Sequence, residues 1–281
     1  MLVNLQKILQ DADKHCYAVG GFNITSLETA LGIVEAGVAE KSPIILQISE
    51  KTIKYMGLDL AFAIAKTLAD RTDLPIAVHL DHGRDLKLAE EALEIGFSSI
   101  MLDVSKLPKD ERIPLVKKFV EKAHHLNATV EAEEDSIGGR EDYIDGEGFT
   151  FTDPKRAEIF TRQTGCDLFA VSIGNSHGKP LPHEQLHMDL LSKIDAAVSV
   201  PLVLHGASST PPEIVREVIA RGIRKINIDT DLRLAFTRKL RETLKEDREM
   251  YDPRDELKPS IEEVKETVID AMRHFGSSGK V

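Results

Sequence analysis

Hydrophobic and polar positions follow two alternating periods along most of the chain. Short apolar runs are each followed by a longer segment in which apolar residues recur every three or four positions. Near-continuous apolar runs predict buried parallel strands, and the longer segments predict amphipathic helices. The predicted strands cover residues 17–24, 43–49, 75–81, 98–103, 128–134, 167–173, 201–206 and 223–229.

The number of these units predicts the architecture. Predicted helices cover residues 26–40, 59–70 and 84–95, and others are centred near residues 117, 158, 190, 216 and 238. Eight strand–helix units are the number that closes a (β/α)8 TIM barrel, an α/β fold with its helices outside. An open, doubly wound parallel sheet is the alternative arrangement.

The chain ends in one further predicted element. The segment YDPRDELKPS interrupts the pattern after the eighth helix, and residues 260–274 predict an extra C-terminal helix. With 281 residues, 42% of them apolar, the chain can bury a full core. We therefore expect a single TIM-barrel domain over residues 1–281, with the barrel at about 15–248 and a helical extension at about 252–281.

Composition and charge exclude several classes of partner. Acidic residues outnumber basic ones, 47 to 36, for a net charge of −11, and the basic residues are scattered, which argues against nucleic-acid binding. No apolar run is long enough to span a bilayer, and the amphipathic start MLVNLQKILQ lacks the features of a signal peptide. We expect a cytoplasmic protein with no membrane partner, in which Cys16 and Cys166 are reduced structural thiols.

Candidate chemistry lies where the predicted strands end. In a TIM barrel the active site is built at the carboxyl ends of the strands. His82, His177 and His205 follow the third, sixth and seventh predicted strands, so they should converge over one mouth as the ligands of a catalytic zinc with open positions. His79 is predicted one layer deeper. The remaining histidines lack such an address and are expected on the surface or on helix faces.

The loops after the last two strands predict a phosphate site. Glycine follows each candidate ligand directly, at Gly83, Gly178 and Gly206. The backbone amides of residues 206–208 and 229–230 lie where TIM barrels bind phosphate. A phosphorylated substrate follows from this arrangement, whereas ordinary loop glycines and helix capping by Asp229 or Thr230 are the alternative.

Several motifs, in order, identify a family that the sequence resembles. They are HLDHG at 79–83, VEAEEDSIGGRED at 130–142, IGNSHG at 173–178, PLVLHGASSTP at 201–211 and KINIDTDLRLAFT at 225–237. Through almost the whole chain, these motifs closely resemble those of the class II fructose-bisphosphate aldolases.

The resemblance implies a metal set and two catalytic carboxyls. Zinc would be held by His82, His177 and His205, with a second divalent position at Asp103 and Glu133 and room for a monovalent cation. The implied proton donor and acceptor at the aldehyde oxygen is Asp81. The implied proton-abstracting residue is Glu141, in a mobile loop from Ile137 to Asp142.

The resemblance also implies a substrate and a reaction. The reaction would be reversible cleavage of fructose 1,6-bisphosphate to dihydroxyacetone phosphate and glyceraldehyde 3-phosphate through a metal-stabilised enediolate. Such an aldehyde-lyase acts in glycolysis and gluconeogenesis, and the family suggests a homodimer or homotetramer. The implied substrate-binding residues are Asn23, Ser49, Gly178, Gly206, Ala207, Ser208, Asn227, Ile228, Asp229 and Thr230.

Three departures from the family pattern concern the catalytic loop and the distal end of the substrate. Glu134 and Asp135 replace a Leu-Gly pair, and Lys179-Pro180 replaces a small residue and tyrosine. Ile261 stands where relatives commonly have an arginine that binds the distal phosphate. Tagatose 1,6-bisphosphate, or another acceptor for dihydroxyacetone phosphate, is therefore an alternative substrate.

Three other functions fit parts of the pattern. A Schiff-base aldolase would use a desolvated lysine inside the barrel, for which Lys225 is the candidate. A zinc hydrolase would use the metal to activate water. A barrel that binds phosphosugars without catalysis is the non-enzymatic alternative, because fold alone does not fix function.

Overall fold

Parallel strands close into a barrel in the computed structural model of this chain. The structure describes residues 1–134, 138–141, 144–146, 150–178 and 186–281, with backbone only for 138–141, 144–146 and 177. The described strands are β1 (Val19–Asn23), β2 (Ile44–Ser49), β3 (Ile76–Gly83), β4 (Ser99–Asp103), β5 (Thr129–Glu133), β6 (Gly138–Glu141), β7 (Ile144–Gly146), β8 (Leu168–Val171), β9 (Ser176–His177), β10 (Leu202–Leu204) and β11 (Ile223–Ile228).

Eight of these strands form the barrel, in the order β1, β11, β10, β8, β5, β4, β3, β2. Every pair of neighbours is parallel, and β1 closes the ring by pairing with both β11 and β2. The prediction of a closed (β/α)8 barrel is therefore confirmed, and the open-sheet alternative is wrong. The sixth and seventh predicted strands, at 167–173 and 201–206, are shorter in the structure than predicted. They end at Val171 and Leu204, where the chain turns into loops.

Helices surround the barrel and close one end of it. They are α1 (Leu5–Lys14), α2 (Leu27–Glu40), α3 (Glu50–Met56), α4 (Leu58–Asp70), α5 (Leu86–Ile95), α6 (Lys109–His125), α7 (Pro154–Thr164), α8 (Met188–Ala197), α9 (Pro212–Ile219), α10 (Thr230–Glu246) and α11 (Pro253–Phe275). In the described part of the chain, none of these helices has the length and apolar character needed to cross a membrane.

Two apolar clusters divide the core. The larger one fills the layer between the outer faces of the strands and the surrounding helices. The smaller one lies inside the barrel, where Leu5, Ile8 and Leu9 of α1 pack against inward side chains such as Val19 and Val203. Helix α1 thus closes the amino-terminal end of the barrel, and the carboxyl ends of the strands remain as the mouth.

Helix α11 begins seven residues earlier than the sequence predicts. The side chain of Asp252 accepts a hydrogen bond from the backbone N–H of Arg254, and Pro253 occupies the first helical position, where its missing N–H costs nothing. The helix packs against α2 and α10. A Cβ on Gly32 would lie 2.7 Å from the carbonyl oxygen of Ile261, so this close packing requires glycine.

Candidate active site

The barrel mouth collects the polar side chains that the sequence places at the strand ends. Ligand atoms of Asp81, His82 and His205 lie within 4.8 Å of one another, and His82, Asp103 and Glu133 form a second group of this kind. The rings of His82 and His205 stand edge to face, with their centroids 4.8 Å apart. Imidazoles and carboxylates gathered at this spacing are a donor set suited to zinc.

A bulge in β3 brings two consecutive residues to this mouth. Neighbouring side chains of a regular strand point to opposite faces. The pairing of β3 with β4 shifts register between Leu80 and Gly83, and His82 has a left-handed φ of 52°. A Cβ on Gly83 would lie 2.9 Å from both the Leu80 side chain and the Met101 carbonyl oxygen, so glycine is required there. Asp81 and His82 consequently serve the same site.

A carboxylate deeper in the barrel orients His205. Its Nε2 lies 2.7 Å from Oε1 of Glu131, and the Asn227 Nδ2 donor lies 3.2 Å from its Nδ1. Burial, followed by the charges of His82 and Lys225, holds the pKa of His205 well below its ordinary value. Both contacts agree with a neutral ring that donates its Nε2 proton to Glu131. The Nδ1 lone pair then faces the Asn227 amide, and a metal bound at Nδ1 would take the place of that contact.

Glu131 is balanced by a buried lysine. The Lys225 ammonium donates to Oε2 of Glu131 at 2.8 Å and to Oδ1 of Asn227 at 2.8 Å. The Lys225 and Glu131 side chains are both 0% exposed. His79 joins the same layer, because its Nε2 lies 3.6 Å from Glu131 and its Nδ1 lies 2.8 Å from Ser99 Oγ. The predicted deeper position of His79 is what the structure has.

Asp81 combines a fixed oxygen with an available one. Its Oδ2 accepts a hydrogen bond from Asn23 Nδ2 at 2.8 Å, and Asn23 Oδ1 in turn accepts one from Gln47 Nε2 at 2.8 Å. Its Oδ1 is buried and has no hydrogen-bond partner among the described residues. Although burial raises the pKa of Asp81, the nearby positive charges, that of His82 first, and the hydrogen bond from Asn23 bring it below its ordinary value. An ionised carboxylate with one unsatisfied oxygen faces the mouth.

The second group contains two carboxyls with opposite pKa shifts. Burial and the adjacent Asp103 raise the pKa of Glu133 well above its ordinary value. Burial also raises the pKa of Asp103, but hydrogen bonds from His82 and Ser105 and the charge of Arg84 outweigh it and lower that pKa. Burial lowers the pKa of His82, whereas its hydrogen bond to Asp103 and the charges of Asp81 and Glu133 raise it to about 9.

The loops after β10 and β11 are joined by hydrogen bonds. The Ser209 backbone N–H and hydroxyl donate to the Asp231 carboxylate at 2.7 and 2.9 Å, and the Asp231 N–H donates to Ser208 Oγ at 3.4 Å. Gly206 has a left-handed φ of 63°. Since α10 begins at Thr230, the amides of its first turn open beside this loop. Such an N-terminus is a ready anion site.

The remaining predicted substrate residues lie on the same rim. Ser49 caps α3 by accepting a hydrogen bond from the Thr52 N–H at 3.4 Å. Asp229 is ion-paired with Arg233 on the first turn of α10 at 2.5 Å. Other members of the predicted set are Gly178, with a φ of 92°, and the buried Ala207 and Ile228.

Two predicted residues lie partly outside the described structure. Nothing is described of the side chains of Glu141 and His177, whose backbones belong to β6 and β9. Those strands pair in parallel, Gly138 with Ser176 and Gly139 with His177. The backbone of the predicted catalytic loop therefore runs beside the third predicted histidine. Wholly outside the described residues are Asp135, Ile137, Asp142, Lys179 and Pro180.

Comparison with known proteins decides the family. Residues 3–280 match the family model described as class-II fructose-bisphosphate aldolase. The chain belongs to that family. The fructose-bisphosphate aldolase of Geobacillus stearothermophilus is 39% identical, over 99% of this chain and 98% of that protein.

Other relatives of this class II aldolase differ in name. A 6-phospho-5-dehydro-2-deoxy-D-gluconate aldolase of Bacillus licheniformis is 38% identical, over 99% of this chain and 96% of that protein. The crystal structure of the YdjI aldolase from Escherichia coli K12 matches with a TM-score of 0.87 at 32% identity, covering 100% of this chain and 99% of that one. The family is therefore shared by proteins with different named substrates.

Sequence reasoning missed part of the site of this aldolase. The sequence pattern does not single out Arg84 or Gln47. In the structure, Arg84 donates a hydrogen bond to Asp103 and Gln47 donates one to Asn23, and both acceptors are predicted site residues. Glu131 enters the sequence analysis only within the motif at 130–142, and Lys225 only as the candidate for Schiff-base chemistry. The alternation of side chains along a strand is the signal that could have found them. Glu131 stands two positions before Glu133, and Lys225 two positions before Asn227, so each shares the inward face of a predicted site residue.

Proposed function

We propose that this class II aldolase cleaves and forms a carbon–carbon bond in a phosphorylated ketose, with fructose 1,6-bisphosphate as the first candidate substrate. The observation that carries the proposal is the convergence of Asp81, His82 and His205 at one mouth, where the buried Oδ1 of Asp81 has no hydrogen-bond partner among the described residues. The products would be dihydroxyacetone phosphate and glyceraldehyde 3-phosphate.

The residues present fit a zinc ion. His205 is neutral and oriented by Glu131, and His82 lies beside it at the same mouth. The proposed ligands are His82, His205 and, from the sequence, His177. When bound, zinc supplies Lewis-acid polarisation of the substrate carbonyl. The high pKa of His82 means that its proton must leave when a metal binds.

The chain's own groups supply binding and proton transfer in this proposal. The amides at the start of α10, with the loop from Gly206 to Ser209, bind the phosphate of the dihydroxyacetone half. Asp81, held by Asn23, moves the proton at the aldehyde oxygen, and Glu141 takes the proton next to the ketone. A closed loop would exclude water while these transfers occur.

The buried ion pair argues against Schiff-base chemistry. A lysine nucleophile must be neutral and must reach the carbonyl carbon. The Lys225 ammonium instead hydrogen-bonds Glu131 and Asn227 within the barrel. We therefore expect borohydride to leave the enzyme active in the presence of substrate.

The test measures cleavage of three phosphorylated substrates before and after removal of metal. Fructose 1,6-bisphosphate, tagatose 1,6-bisphosphate and 6-phospho-5-dehydro-2-deoxy-D-gluconate are assayed with EDTA, with zinc added back, and after borohydride treatment. EDTA-sensitive, zinc-restored and borohydride-resistant cleavage supports the proposal, and the preferred substrate names the acceptor. Borohydride trapping would assign the reaction to a lysine. No cleavage of any of the three substrates would reject them and point to another acceptor for dihydroxyacetone phosphate.

The Asp81→Asn variant tests the proton-transfer role. We expect kcat to fall by about 10²- to 10⁴-fold, the usual contribution of a general acid or base. Bound zinc, measured by elemental analysis, should be retained. Unchanged turnover would remove Asp81 from the mechanism.

Subunit number and compartment belong to the same proposal. We take the enzyme to be a cytoplasmic homodimer or homotetramer that acts in glycolysis and gluconeogenesis. Sedimentation equilibrium of the purified chain tests the subunit number, and a monomer would contradict it.

A further inference from the structure

Arg84 extends over the second carboxyl group of the mouth. It follows the bulge of β3, and its Nε donates to Asp103 Oδ2 at 2.7 Å. Its backbone is fixed as well, because Glu50 Oε1 accepts the Arg84 N–H at 2.7 Å and the Asp85 N–H at 2.9 Å. The Arg84 side chain is 21% exposed and Asp103 only 1%. This is a held ion pair at the edge of the site.

The hydrogen-bonding capacity of Asp103 is already used. Its Oδ1 accepts from the Ser105 N–H at 3.1 Å and from Ser105 Oγ at 2.6 Å. Its Oδ2 accepts from Arg84 and faces His82 Nδ1 at 3.4 Å. A carboxylate offers about four lone-pair positions. A metal ion could use Asp103 only by displacing one of these partners.

The positive charge of Arg84 also argues against a second metal ion beside Asp103. Asp103, Glu133 and His82 have ligand atoms within 4.8 Å of one another, the spacing of a metal position. A divalent ion there would lie close to the Arg84 guanidinium, which is always charged. Two cations at such a distance in a partly buried site repel strongly.

We propose that Arg84 is a fixed cation in place of a second divalent ion, so that the enzyme holds one divalent ion for each chain. The inference rests on the proposed function only in taking His82, His177 and His205 as the zinc ligands. Arg84 is a positioning residue, because it holds the Asp103 oxygen that faces His82. It replaces the predicted second metal position at Asp103 and Glu133.

The test counts bound cobalt in variants that remove the guanidinium. Metal-free protein is loaded with excess Co²⁺, passed through a desalting column and analysed for metal and for its visible absorption spectrum. The variants are Arg84→Ala, Arg84→Gln and the double variant Arg84→Ala with Glu133→Gln. The matched control is Lys87→Ala, which removes a positive charge three residues away on α5, where the 84% exposed lysine pairs with Glu91.

The expected counts are one cobalt ion in the wild type and in Lys87→Ala, and two in either single Arg84 variant. The double variant should return to one ion, because Glu133 would be a ligand of the second. Two ions in the wild type, or one in both Arg84 variants, would overturn the inference and leave the zinc proposal intact. No cobalt in the wild type would overturn the zinc site itself and this inference with it. The wild-type count decides even if a variant fails to fold.

Discussion

The two ends of the barrel interior bury different kinds of side chain. At the closed end, inward side chains are apolar and pack against α1, with Leu5 and Ala12 0% exposed. Towards the mouth, the same strands carry Gln47, Glu131 and Lys225, also 0% exposed. Apolar packing needs only matching shape, whereas buried polar groups need partners. The mouth is therefore stable only as a connected network.

Backbone strain shows the same contrast. Cys16, on the turn between α1 and β1, has a left-handed φ of 53°, and His82 at the mouth has one of 52°. Cys16 is exposed, and its conformation only reverses the chain. The conformation of His82 aims a proposed zinc ligand. The backbone strain at His82 therefore serves the proposed site, whereas the strain at Cys16 could be removed without changing the site.

The largest effect is expected from breaking the ion pair below the mouth. In Lys225→Met, Glu131 would remain buried without its cation. We expect the free energy of unfolding to fall by about 3 to 5 kcal/mol, the usual cost of removing one partner of a buried pair. Urea denaturation measures the loss. The double variant Lys225→Met with Glu131→Gln should recover part of it, and no recovery would mean that charge imbalance is not the cause.

A cavity at the closed end should cost nearly as much but leave the mouth unchanged. Leu9→Ala removes a side chain that is 2% exposed against the barrel interior. We expect a loss of about 2 to 5 kcal/mol in the free energy of unfolding. Gln10→Ala, on the exposed face of the same helix, is the control and should change it by less than about 0.5 kcal/mol. Cobalt binding should be unaltered in Leu9→Ala, and a weaker affinity would show that the two ends are coupled.

Loss of the carboxylate that orients His205 should weaken metal binding. Glu131→Gln replaces an acceptor for the Nε2 proton by an amide that does not hold the ring in one tautomer. We expect metal affinity to fall by about 10- to 100-fold, the usual effect of removing such a partner. Competition with a chromophoric chelator measures it. Glu134→Gln removes a charge three residues along the chain, from a side chain that is ion-paired with Arg156, and an equal loss there would assign the effect to net charge.

The smallest effect is expected where strain has no function. Cys16→Gly removes the steric cost of a left-handed residue, offset by extra freedom in the unfolded chain. We expect stabilisation by about 0.5 to 1 kcal/mol relative to Cys16→Ala, which keeps the strain. Thermal unfolding compares the two variants. If glycine is no more stable than alanine, the turn is not strained in solution.

Local pattern determined most of the barrel and the chemistry of its mouth. The eight barrel strands and the helices that follow them are predicted by period and length because each unit buries its own apolar face, although the sixth and seventh strands are shorter than predicted. The positions of Asp81, His82 and His205 follow from the rule that strand ends meet at one mouth. The zinc ligands, the catalytic carboxyls and the substrate stay predictions.

Tertiary structure alone decided which polar groups are paired. Lys225 and Glu131 are 94 residues apart in sequence, Glu131 and His205 are 74 apart, and Arg84 meets Asp103 across two strands. The sequence shows that these residues face inward or lie at a mouth, but not which partner each one reaches. Register, the bulge at His82 and the closure of the ring set those distances. Because a buried charge is stabilised or penalised by its neighbours within a few ångströms, its role depends on contacts that only the folded chain brings about.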